Sequence, residues 1–332
     1  MTLRWGIIGC GDVAEHKGGP ALYGVEGSEL VAVMRRDAAK AEDFARKHRA
    51  KRWYSNAEDL LNDPEINAIY VATPVHLHHT YTIQAAEAGK HVLCEKPMAL
   101  NARQCREMIA ACRESEVKLT IAYYRRTYSI VQKMKRLLEK GTIGEPMLMR
   151  INLTGYYNPP DPNALGEWRT DPKVAGGGVM FDVGSHRLDV MVYLFGEVEK
   201  VSAFTETLHC GYRVEDSAVL SMKLANGMHG VANFNWNVGN SSDEFEIYGT
   251  EGKILARPLE GGHLEIYRGK QLKVFELPPP KITHWGLVEN LVQAVDQEIP
   301  LICSGEDGVK TNLIMEAAYR SARSGKVEMV DW

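Results

Sequence analysis

The sequence is as informative in what it lacks as in what it contains. No apolar run reaches the roughly 18 residues that a membrane-spanning helix needs. There is no basic excess: 39 Lys and Arg face 43 Asp and Glu, for a formal charge of -4. That balance gives no support to binding of nucleic acid or of an anionic membrane. The six cysteines (Cys10, Cys94, Cys105, Cys112, Cys210 and Cys303) form no C-x-x-C pair. The opening stretch MTLRWGIIGCG enters a strand directly and leaves no room for a cleavable leader. Together these features predict reduced thiols and a cytoplasmic location. Internal repeats, low-complexity tracts and charged tails are also missing.

What is present is the composition of a soluble globular protein, with 45% hydrophobic and 25% charged residues. A length of 332 residues exceeds one ordinary core and predicts two domains. The first third alternates strand and helix patterns. LRWGIIGCG, SELVAVMRR, NAIYVATP, HVLCEKP and KLTIAYYRR read as strands, with helical stretches between them. Such alternation predicts a parallel sheet covered on both faces, over residues 1–123. The remainder, 124–332, reads as α+β with a large, open, mostly antiparallel sheet. Asn226-Gly227 between two alternating runs is a strong hairpin signal there. Two helices, near 284–297 and 306–324, close the chain.

Gly9-Cys10-Gly11-Asp12-Val13-Ala14 is a G-x-G-x-x-A loop between a strand and a helix. Its glycines permit a tight turn and close approach of the backbone to a pyrophosphate, and the following helix offers free N–H groups. The second strand of such a unit usually ends in an acid that holds the ribose hydroxyls. Here it ends in Arg35-Arg36-Asp37. An arginine cannot accept from a 2′-hydroxyl but can bind a 2′-phosphate, so NADP is expected over NAD. The alternatives are that Arg35 points to solvent, that Arg36 stacks on the adenine, or that Asp37 takes the acidic role.

Ligands of parallel α/β sheets bind beyond the carboxyl ends of the strands. Thr73-Pro74 and Glu95-Lys96-Pro97 lie at two such ends and are expected to border the nicotinamide. A partly desolvated lysine there can take part in proton transfer, aimed by Pro97, a candidate cis peptide. Asp182, His186, Asp189 and Tyr193 recur at helical spacing and predict one stripe. His186 can accept a hydroxyl proton near neutral pH, with Asp182 orienting it. The plainer reading is a helix-start aspartate and a satisfied core histidine. His76, His78 and His79 make a poor zinc set, since no carboxylate or cysteine stands at ligand spacing, and no metal is expected.

These motifs, with AGKHVLCEKPMAL, GTIGEP, GGGVMFDVGSHRLD, VEDSAVLSMKLANG and YGTEGKI, give the chain an end-to-end resemblance to the glucose–fructose oxidoreductase, inositol dehydrogenase and MocA (Gfo/Idh/MocA) family. The resemblance implies an N-terminal Rossmann domain and a C-terminal domain whose open sheet often serves as an oligomer interface. A homodimer or homotetramer is therefore expected. It implies hydride transfer between NAD(P) and a carbinol or carbonyl carbon of a sugar, polyol or related compound. It maps a catalytic lysine onto Lys96 and an Asp–His pair onto Asp182 and His186. His186 would take the hydroxyl proton, Lys96 would hydrogen-bond the same oxygen, and Asp182 would orient them. Tyr124, Arg125, Trp168 and Arg169 map as substrate contacts, and His78 as a loop support on the cofactor side. The irregular segment YYNPPDP reads equally as a cover for the substrate or as a simple surface loop. Val75 replaces a common asparagine, and Arg35 a common acid, as in NADP-using branches. Two rival functions stay open: a redox-assisted glycosidase or lyase built on the same residues, and a non-enzymatic dinucleotide-binding regulator.

Overall fold

The computed structural model describes residues 2–159, 161 and 167–332. It forms two compact units, Met1–Tyr124 with Pro280–Val309, and Arg125–Pro279 with Lys310–Trp332.

In the first unit, six strands form one sheet: β1 (Leu3–Ile8), β2 (Ser28–Met34), β3 (Arg52–Tyr54), β4 (Ala68–Val71), β5 (His91–Cys94) and β6 (Leu119–Ile121). All pairs are parallel and the order is β3-β2-β1-β4-β5-β6. Helices cover such a sheet on both faces, so β4 is buried throughout and β5 along Val92, Leu93 and Cys94, which explains their unbroken apolar runs. The order reverses between β1 and β4, and that switch point is where this architecture opens a crevice for a ligand. Side-chain caps start the intervening helices. Asp37 accepts from Lys40 N (3.2 Å) and Asn101 from Gln104 N (2.9 Å).

The sequence reading assigns all of 124–332 to a second domain, whereas residues 280–309 cluster with the first unit. The reason is the exposed edge of β6. Cys303 O accepts from Ile121 N (3.0 Å) and from Thr120 Oγ1 (2.7 Å), so the returning chain satisfies groups that the sheet leaves open.

The second unit holds nine strands: β7 (Pro146–Tyr156), β8 (Val198–Glu206), β9 (Ser217–Leu224), β10 (His229–Asn235), β11 (Asn237–Gly249), β12 (Lys253–Arg257), β13 (Gly262–Arg268), β14 (Gln271–Leu277) and β15 (Glu328–Met329). Their order is β14-β13-β12-β11-β7-β10-β9-β8-β15. Among the described residues only β7 and β10 pair in parallel, so the sheet is mixed but mostly antiparallel, as the sequence predicts. β9 alternates buried and accessible positions, the mark of a sheet with one face on a core. The predicted hairpin joins β9 to β10, with Gly227 at φ +88°. Among the described residues no helix is long and apolar enough to cross a membrane.

Candidate active site

The glycine loop follows β1 into the crevice. Gly9 has φ +101°, and a Cβ there would lie 2.6 Å from Ala72 O, so only glycine lets the loops after β1 and β4 meet. Gly11 is exposed, and a Cβ built on it meets nothing within 4 Å. The loop thus presents an open backbone face, and a dinucleotide pyrophosphate fits that face. Asp12 is exposed, Val13 half-buried and Ala14 buried, in a helical segment that includes a π-helical turn over Ala14–Gly18. Arg35 does not point idly into solvent: its Nη1 donates to Cys10 O at 2.7 Å, inside the glycine loop. Arg36 is exposed, and Asp37 is occupied as a helix cap. Burial pushes the Cys10 thiol up to about 12, so it is inert as a nucleophile.

Thr73, Pro74, His78, Glu95 and Lys96 gather at the carboxyl ends of β4 and β5. His78 is buried and joins the two loops, with Nε2 2.8 Å from Thr73 O and Nδ1 3.0 Å from Pro97 O. Burial lowers its affinity for a proton, against the pull of both carbonyls. The Lys96–Pro97 peptide is cis. Glu95 is buried beneath Lys96. Its Oε1 accepts from Tyr70 Oη (2.6 Å) and contacts His284 Nε2 (2.8 Å), and its Oε2 accepts from Lys96 N (3.2 Å). Burial alone would raise this carboxyl. The neighbouring His284, the hydrogen bonds from His284 and Tyr70, and the Lys96 charge outweigh burial and hold it at about 2. Tyr124, just past β6, is buried with its ring 5.0 Å from that of His284.

The second unit carries the other candidates. Met180–Gly184 is a π-helical turn and Ser185–Phe195 an α-helix, so the stripe expected from plain α spacing is altered at its start. Asp182 sits in the π turn with Oδ2 3.6 Å from Arg169 Nε, and the Arg169 guanidinium lies 4.7 Å from the ring centre of Trp168. Asp182, Arg169 and Trp168 therefore come together. His186 is buried in the first turn of the α-helix. Asp189 and Tyr193 belong elsewhere. Asp189 forms a fully buried ion pair with Arg126 (2.7 Å), and the Tyr193 hydroxyl accepts from Gln132 (2.8 Å). Arg125 is buried and engaged by Glu260, which also lies 3.3 Å from Arg187.

The glycines before Asp182 rest on Glu215, whose carboxylate accepts from Gly178 N (2.8 Å), Met180 N (3.1 Å) and Tyr319 Oη (2.9 Å). A Cβ on Gly178 would lie 2.0 Å from Glu215 O, which explains the glycine. Burial raises the Glu215 carboxyl, against these three donors. Sequence reasoning missed Tyr70, His284, Glu215 and Tyr319. His284 stands beside Trp285 at the start of a late helix, a setting that reads as packing and gives no sign of a distant carboxylate. His79, from the doubtful zinc set, contacts Glu107 (2.7 Å). Pro160 and Pro162 of YYNPPDP lie outside the described residues.

Comparison with known proteins agrees with this fold. Residues 3–123 match the model of an oxidoreductase family with an NAD-binding Rossmann fold, and residues 131–255 match the GFO/IDH/MocA C-terminal domain. The chain is 39% identical to oxidoreductase P35 of Formosa agariphila, over 76% of this chain and 78% of that one. It is 28% identical to 1,5-anhydro-D-fructose reductase of Ensifer adhaerens, over 99% and 98%. Among solved structures, levoglucosan dehydrogenase in complex with NADH superposes with a TM-score of 0.90 at 25% identity, over all of both chains. A Rossmann sheet with an open glycine loop, followed by this nine-stranded domain, makes the chain a member of the Gfo/Idh/MocA family of nicotinamide-dependent oxidoreductases.

Proposed function

We propose that the protein transfers a hydride between NADP and a carbinol or carbonyl carbon of a sugar, polyol or anhydrosugar. The observation that carries the reading is Lys96, held by a buried carboxylate at the carboxyl end of β5 in a sheet of dinucleotide-binding order. Lys96 supplies positive charge and a hydrogen bond to the reacting oxygen. His186 accepts the hydroxyl proton on oxidation and returns it on reduction. Asp182, fixed on its π turn, orients the histidine, while Trp168, Arg169, Tyr124 and Arg125 bound the substrate. The bound nicotinamide supplies the hydride acceptor. The chain's own residues grip it through Gly9, Gly11, Asp12, Val13 and Ala14, and through Thr73, Pro74, His78, Glu95 and Lys96. The names of the relatives, which include an anhydrosugar reductase, support this substrate class.

The preference for NADP rests on Arg35 and Arg36. Anchored on Cys10 O, the Arg35 guanidinium keeps further N–H groups for a 2′-phosphate. A charge-assisted bond is worth about 1.5–3 kcal/mol, roughly a tenfold to hundredfold preference. Arg35→Asp should move the NADP/NAD ratio of kcat/KM toward NAD by that factor, and an unchanged ratio would sink the assignment.

The second sheet exposes Phe204 (75%), Val219 (45%) and Val231 (37%), which supports assembly through this face into a homodimer or homotetramer. Light scattering would read the mass. Six free, buried cysteines suit a reducing cytoplasm.

The deciding assay follows absorbance of reduced nicotinamide with NAD⁺ or NADP⁺ and a panel of aldoses, polyols, anhydrosugars and inositols. Growth of the band with one pair establishes the dehydrogenase. Silence, with cofactor retained by the protein and cleavage of chromogenic glycosides, would instead establish the redox-assisted glycosidase.

A further inference from the structure

The segment Pro280–Val309 does more than close the edge of β6. It delivers His284, fully buried, to a carboxylate 189 positions earlier in the chain. There the imidazole Nε2 and the Tyr70 hydroxyl converge on one oxygen of Glu95, at 2.8 and 2.6 Å, and leave the other oxygen to the backbone N–H of Lys96. The Tyr70 ring is itself fixed from the glycine-loop side. A Cβ on Gly18 would lie 2.4 Å from it, so the ring presses on the bare backbone of the turn after the cofactor loop. His284 is also walled by aromatic rings, 5.9 Å from Tyr70 and 5.0 Å from Tyr124. A carboxylate with both oxygens engaged by fixed donors cannot rotate. The peptide that begins Lys96 is thereby held where the strand ends.

We infer that His284 is a positioning residue for Lys96, acting through Glu95, with Tyr70 as its second support. This rests on the role proposed for Lys96 above. A group misplaced by about 1 Å loses on the order of 10²-fold in rate, so the effect should be larger in kcat than in cofactor affinity.

The test has one arm that needs no turnover. Protein labelled with ¹³C at lysine Cε is observed by NMR, and Lys96→Arg identifies the Lys96 signal by its loss. His284→Leu should shift that signal. His284→Gln, which keeps a side-chain N–H donor, should restore it. Tyr70→Phe, which removes a single hydroxyl, should give an intermediate shift and serves where His284→Leu fails to fold. A Lys96 signal unmoved in folded His284→Leu, or unmoved in Tyr70→Phe, overturns the inference, as does His284→Gln behaving like His284→Leu. The kinetic arm uses the substrate identified in the panel. There kcat should fall roughly 10²-fold in His284→Leu and recover in His284→Gln, with a smaller change in the Kd for NADPH. A loss confined to Kd would also overturn it. Lys96→Met, run alongside, separates the two ideas. If it stays active while the NMR shifts appear, the catalytic role of Lys96 fails and the positioning stands.

Discussion

Glu95 in the first unit and Glu215 in the second hold comparable posts. Each is a buried carboxylate that receives backbone N–H groups from a segment carrying proposed catalytic residues. Burial raises both. Glu95 has a histidine and the Lys96 charge beside it, and these bring it down to about 2. Glu215 has the neutral donors of Gly178, Met180 and Tyr319, and they do not overcome burial, so it stays raised. The lesson is that three good hydrogen bonds do not replace a neighbouring charge when a carboxylate leaves water. The first unit therefore holds its loop with a committed anion, and the second holds its glycine turn with a carboxyl that resists ionisation.

The largest effects should come from the groups that the two seats support. Lys96→Met and His186→Ala should each lower kcat by about 10²–10⁴-fold, the range for a positioned proton-transfer group, with NADPH binding kept by His186→Ala. Steady-state kinetics beside a cofactor titration checks this. If only one variant loses activity, the chemistry belongs to one unit, and the parallel between the seats breaks.

Next in size is the ion pair that fixes the second unit's helix. Arg126 and Asp189 are both essentially inaccessible and doubly hydrogen-bonded. Asp189→Ala leaves a buried guanidinium without its counter-charge and should cost about 3–5 kcal/mol of stability. Chemical denaturation would measure it. A cost below about 1 kcal/mol, the value of an exposed pair, would show that water reaches this pair.

The parts legible in the sequence are those set by local pattern. Apolar runs bounded by glycine and proline marked β1, β4 and β5 because a parallel sheet buries both faces. Asn226-Gly227 marked its hairpin because the turn demands positive φ. The Glu95-Lys96-Pro97 segment stood out because a charge pair rarely ends a buried strand. The illegible parts depend on distant partners. Nothing near His284 shows that it meets Glu95, and nothing in the amphipathic pattern of Trp285–Gln297 says which sheet it covers. Asp189 and Tyr193 share helical spacing with His186, yet Arg126 and Gln132 claim them, since spacing fixes a face but not the partner that meets it. The support under the Asp182 turn is likewise distant, since Glu215 holds Gly178 and Met180 across 35 to 37 positions.

The smallest effect, and the sharpest test of the contrast, is in how stability depends on pH. The Glu95 carboxyl is depressed in the folded state, from an ordinary value of 4.5 to about 2. Its contribution is then fully present above pH 4.5 and lost as pH falls toward about 2. Glu215 is raised above 4.5 in the folded state, so the sign reverses. Its contribution is fully present below 4.5 and is lost as pH rises through the folded value. Thermal melts of Glu95→Gln and Glu215→Gln against the parent chain should therefore diverge above pH 4.5. The deficit of Glu95→Gln should stay constant from there to neutrality, whereas that of Glu215→Gln should shrink as the parent pays the cost of ionising a buried acid. Parallel deficits across that range would mean that both carboxyls titrate alike, and that the neutral donors around Glu215 do as much as the histidine and lysine around Glu95.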